Sequence, residues 1–239
     1  MYLKVVTFIT LILIESLSYQ GVVAITIKRE DSGRQIEIAI AKLWSSSESE
    51  RESAKRTLLN KGKRSSKPLL VLLEDITDNH GKKRYAVGKE KTEEYEITWR
   101  LENDVVELLG KLHSVEAIPI LIKLFWSRPE ITSLGMYPYM QALVSIGSSA
   151  VPKLIEVLND AQSIAVKAVE RENLDNDKQQ QWIDYKTYRI QAKAILVLGE
   201  IGDRQAMPIL SRLRSTTKNE DLLFFIDQSL KQIEERNKL

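Results

Sequence analysis

Cysteine is absent from all 239 residues of the chain. Its absence removes disulfides, thiolate metal sites, cysteine nucleophiles and lipid attachment at a lipobox cysteine, and it suits the chain to oxidising and reducing surroundings alike. Proline and glycine are scarce, at 6 and 10 residues, and aromatics make up only 7%. Small β proteins depend on turn formers and aromatic strand residues, so this composition points to a mostly helical chain. Charge of one sign is missing as well: 35 basic residues meet 33 acidic ones, for a net charge of +2. No global field draws the protein to nucleic acid or to an anionic membrane, and either role would need a local patch.

A run long enough to span a membrane is also lacking at the N-terminus. In MYLKVVTFITLILIESLSYQGVVA the apolar stretch covers residues 5–14, and Glu15 and Gln20 interrupt its extension. A span needs roughly 20 such residues. With Lys4 ahead of the stretch, and small residues offering cleavage after Ser18 or Ala24, residues 1–24 read as a secretory signal peptide. The expected location is secreted or periplasmic. The alternative is a protein anchored in the membrane by an uncleaved segment, and membrane association is expected by that route alone. A fold is expected over residues 25–239.

What the chain does contain is a repeat. Four segments share an apolar helical run, a Gly or a substitute, a short polar turn, then Pro and a second apolar run. They are TLLNKGKRSSKPLLVLLED around Gly62 and Pro68, ELLGKLHSVEAIPILIKLF around His113 and Pro119, ALVSIGSSAVPKLIEVL around Gly147 and Pro152, and LVLGEIGDRQAMPILSRLR around Gly202 and Pro208. Glycine closes a helix in the left-handed conformation, and proline is tolerated in the first turn of the next, where its missing N–H would have no partner. Each unit is therefore expected to be a helix, a tight turn and a second helix. Apolar positions on more than one side of each pair call for neighbours to bury them, which makes the expected architecture an all-α stack of hairpins, an α-solenoid.

These segments resemble HEAT-like repeats, in the short form known from phycobilisome lyase subunits. The fourth carries the family's wording at Gly199, Ile201, Gly202, Asp203, Ala206, Pro208 and Leu210; the first matches through Arg51, Ala54, Leu58, Gly62 and Pro68. The second places His113 where the turn Gly is expected, and the third has one turn residue fewer. The tetratricopeptide and ankyrin signatures are missing. The resemblance covers residues 36–75, 101–126, 140–159 and 187–214, about half the chain. Incomplete terminal units are expected over residues 36–44 and 221–236, with the polar EERNK as the outer face.

Two insertions interrupt the repeat. Residues 78–99 end in EYEITW, where Tyr95, Ile97 and Trp99 alternate with Glu94, Glu96 and Thr98. Two readings stand: a small β-hairpin pairing this segment with KRYAV, or a mobile charged loop. Residues 161–188, rich in Gln, Asn, Asp and Glu, are expected to lengthen the two flanking helices and to cross between them through a polar loop.

Chemistry has few candidates. His80 and His113 lack carboxylates at metal-ligand spacing, and His113 at a helix end is expected to cap carbonyls. No GxSxG, HExxH, Walker or Rossmann signature occurs, and the carboxylates around Glu93 and Glu170 lack a calcium-loop spacing. No catalytic residue, metal or cofactor is expected. The aromatic stretch FWSRPEITSLGMYPYM offers Trp126, Arg128, Tyr137 and Tyr139 as contact points for a protein partner, since Trp, Tyr and Arg dominate interface hot spots. The competing reading is that these aromatics fill the junction between the second and third units. The other tryptophans, Trp44, Trp99 and Trp182, are read as packing residues.

The resemblance implies that second helices line a concave surface. Four residues past each proline that surface presents Leu72, Lys123, Glu156 and Arg212, a mixed set unlike a phosphate-collecting stripe, so nucleic acid is not expected. Lys123 and Arg212 join the candidate contacts. The expected function is a non-enzymatic, monomeric, extracytoplasmic module that binds or scaffolds another protein. The alternatives are an enzyme or enzyme-associated subunit of lyase-like type, and a HEAT-like protein binding a ligand or nucleic acid.

Overall fold

A computed structural model describes residues 31–80, 93–127, 136–170 and 176–238. Residues 1–24, read from the sequence as a signal peptide, lie outside these residues. Within the described residues the chain is predominantly helical, with no strand. It divides into two units, one ending at Lys61 and the other running from Gly62 to Leu239.

The described part of the first unit is a pair of mutually packed helices, α1 (Asp31–Lys42) and α2 (Glu48–Asn60). Ile36, Ala39, Leu43, Ala54 and Leu58 are buried. Ser47 caps α2 by accepting from the Glu50 N–H, and the Arg51 guanidinium donates to the Ser45 and Ser46 carbonyls at 3.0 and 3.1 Å, which ties the turn to the helix it precedes.

The second unit contains α3 (Ser66–Asp75), α4 (Glu93–Lys111), α5 (Ile118–Ser127), α6 (Pro138–Ile146), α7 (Val151–Glu170), α8 (Asn176–Ile201), α9 (Met207–Thr216) and α10 (Glu220–Arg236). Packing runs from α4 to α6, from α6 to α8 and from α8 to α10, while α5 meets α7 and each of α7 and α9 meets the helix that follows it. Two glycines within helices mark close approaches. A methyl group on Gly110 would lie 2.7 Å from the α-carbon of Ala142, and one on Gly199 would lie 2.5 Å from Ser229 Oγ.

Among the described residues, positive φ occurs at Gly62 (59°), His113 (50°), Gly147 (80°) and Gly202 (76°), the four turn positions of the repeat and nowhere else. A short 3-10 segment follows in each case: it opens at Gly62 and at Gly147 themselves, and at Val115 and Arg204, two residues past His113 and Gly202. Pro68, Pro119, Pro152 and Pro208 all fall in the first turn of the helix after it. At the second turn the Ser114 N–H donates to the Leu109 carbonyl at 3.0 Å, the wrap-around bond of a Schellman ending, with His113 in glycine's place.

The strand reading of EYEITW is overturned: these residues belong to α4. Thr98 is buried and Trp99 is 48% exposed, the reverse of what their polarity suggested. The two-residue alternation is brief, whereas burial at Thr98, Leu101, Glu102, Val105, Val106, Leu108 and Leu109 follows helical spacing down the rest of the element. KRYAV lies outside the described residues. The second insertion does lengthen its flanking helices: α7 and α8 run 20 and 26 residues, against 10 for α5 and α9.

Candidate functional site

The aromatic stretch brackets the passage from α5 to α6. Apolar residues of α5 at 118, 120, 121, 122, 124 and 125 are buried, so the helix delivers Phe125 into the interior and leaves Trp126 half-exposed one residue on. Tyr137 occupies the N-cap of α6, with extended backbone ahead of Pro138, and its carbonyl accepts from the Met140 and Gln141 amides at 2.9 and 3.0 Å. Tyr139, two residues on, is 5% exposed.

These rings meet. Tyr137 and Tyr139 stack with centroids 5.3 Å apart and planes 3° from parallel, and Phe125 approaches Tyr139 at 5.8 Å and 44°. Lys193 of α8 completes the group. Only 5% exposed, its Nζ donates to the Phe125 carbonyl at 2.5 Å and lies 5.5 and 5.8 Å from the Tyr137 and Tyr139 ring centroids. Phe125 lies in the last turn of α5, whose carbonyls have no partner within the helix and carry the negative end of its dipole. A buried ammonium there satisfies a carbonyl and rests against two electron-rich ring faces.

The other candidates are placed elsewhere. Arg128 lies outside the described residues. Lys123 is partly exposed and pairs with Asp78 at 2.8 Å, and exposed Arg212 bonds Asn159 Oδ1 across from α9 to α7. Trp126 and Tyr137 are therefore the two described aromatics that retain surface at this junction, while Tyr139 faces the cluster. Trp99 and Trp182 are 48% and 41% exposed and not the packing residues expected; Trp182 meets Tyr185, also 41% exposed, edge-on at 5.7 Å.

Sequence reasoning missed Lys193. A signal was available: in RIQAKAILVLG it shares helical spacing with buried Ile190 and Val197, a core position occupied by a cation.

His113 uses its ring as a cap: Nδ1–H donates to the Ser145 carbonyl at 2.5 Å, in the last turn of α6 rather than of its own helix. No grouping of three or more His, Cys, Asp or Glu among the described residues could hold a metal ion. A cleft of about 180 Å³ between α8, α9 and α10 is lined by Gln191, Ile195, Leu213, Thr216, Thr217, Leu222 and Ile226, none of them titratable. No helix among the described residues is long and apolar enough to cross a membrane. Neither a protein-family model nor a curated protein sequence matches the chain.

Proposed function

We propose that this protein is an exported, non-enzymatic module built of stacked HEAT-like hairpins, which binds a protein partner through the junction between α5 and α6. The observation that carries the reading is the half-exposed pair Trp126 and Tyr137 beside the buried Phe125–Tyr139–Lys193 group. Aromatic side chains with part of their surface free, held on a rigid apolar base, lose little conformational entropy on binding and account for much of the energy of protein interfaces. The stacked-hairpin architecture is supported by the four positive-φ turns and by the succession of packed helices from α4 through α6 and α8 to α10. Export rests on the composition of residues 1–24.

Two experiments test this. N-terminal sequencing of the protein from its native host should begin after Ser18 or Ala24; an intact Met1 in a soluble cytoplasmic fraction would refute export. Immobilised protein should retain a defined partner in stoichiometric amount from the extracytoplasmic fraction, and retention of none would refute the binding role.

A further inference from the structure

We infer that Lys193 is a positioning residue, a buried cation that pins together the two chain ends flanking the aromatic junction. Its ammonium donates to the Phe125 carbonyl at the end of α5 and faces the rings of Tyr137 and Tyr139 at the start of α6, so one charge from α8 holds both elements. A lysine buried for packing alone would be replaceable by an apolar residue of like length, because taking an ammonium out of water is costly unless its surroundings return the energy. Here those surroundings include a carbonyl at a helix C-terminus and two ring faces, whose return depends on the charge. Tyr137 is half-buried with its ring against this ammonium, and Trp126 follows directly from the carbonyl that Lys193 holds. The relevance to binding rests on the surface proposed above, but the anchoring itself does not.

Amide hydrogen exchange on the purified full-length chain reads the anchor without any partner. The Met140 and Gln141 amides, bonded to the Tyr137 carbonyl, report on the start of α6. In Lys193→Met they should exchange roughly tenfold faster, the loss expected when a charge-assisted bond and a cation–π contact disappear. The buried turns of α10 around Ile226 should keep their protection, and Lys193→Arg, which keeps the cation, should restore most of it at Met140 and Gln141. Native exchange at these two amides in Lys193→Met, equal acceleration throughout α10, or an arginine variant that behaves like methionine would each overturn the inference. Should the methionine variant fail to fold, Tyr137→Leu removes one ring face from a half-buried position and should accelerate the same amides to a smaller degree; unchanged exchange there would also overturn it. An unchanged partner affinity in Trp126→Ala would refute the proposed surface and leave the anchor standing.

Discussion

Gly110 has no room for a methyl group. The Cβ it lacks would sit 2.7 Å from the α-carbon of Ala142 and 2.9 Å from its methyl, and the first of these is backbone that cannot swing aside. Gly110→Ala should therefore cost about 1–3 kcal/mol by overpacking, measured by urea unfolding, with Ala142→Gly recovering only part because the clash with the backbone of residue 142 remains. His113 offers the opposite case, a side chain at a position built for glycine. Its φ of 50° is strained for any residue with a Cβ, and its ring offsets that strain by capping the Ser145 carbonyl. His113→Gly loses the cap but relieves the strain, so it should stay near the native stability; His113→Ala loses the cap and keeps the strain, and should fall about 1 kcal/mol below the glycine variant. The turn positions were legible in the sequence because glycine and proline have backbone properties that other residues lack. The destination of the His113 ring was not, since a helix-ending histidine says nothing of which helix it caps. Lys193 escaped for a related reason: a periodicity search for apolar residues passes over a cation in an apolar slot.

At the scale of the element, α4 shows how a short pattern can mislead. Tyr95, Ile97 and Trp99 alternate as a strand would, yet the helical series beginning at Thr98 is longer and commands more burial. Trp99→Ala should consequently change stability by no more than about 0.5 kcal/mol, whereas Leu101→Ala, on the buried face, should cost about 2–5 kcal/mol. Thermal or urea unfolding of the pair checks the assignment, and a strand with Trp99 inward would reverse the order. The final helix is fixed at both ends. Asn219 caps its start by accepting from the Leu222 amide at 3.0 Å, so Asn219→Ala should cost about 1 kcal/mol. At its other end Arg236 bonds the Glu200 carbonyl and pairs with the Glu200 carboxylate at 3.0 Å, while Asn237 donates to the Gly202 carbonyl at 2.9 Å. The polar EERNK ending, read in the sequence as a solvated outer face, thus also closes the last turn of α8. The lengthening of α7 and α8 was legible because the polar insertion contains no proline or glycine to stop a helix.

For the whole molecule, the division at Lys61 predicts unequal stability. The hairpin of α1 and α2 relies on a handful of buried residues, among them two alanines, while α8 carries a nearly continuous buried face from Ile190 to Leu198. Native-state hydrogen exchange should find α1 and α2 opening at lower free energy than α8, and uniform protection would contradict this. The proposed binding surface lies between α5 and α6, with Trp126 at its centre. The direct measurement is the affinity of the captured partner for the native protein, for Trp126→Ala and for Trp182→Ala as an exposed aromatic outside the junction. A hot-spot tryptophan contributes about 2 kcal/mol or more, so Trp126→Ala should weaken binding about 30-fold and Trp182→Ala should leave it unchanged. Binding by Trp126→Ala within about twofold of the native protein would contradict the account, because a hot spot cannot be removed at so small a cost.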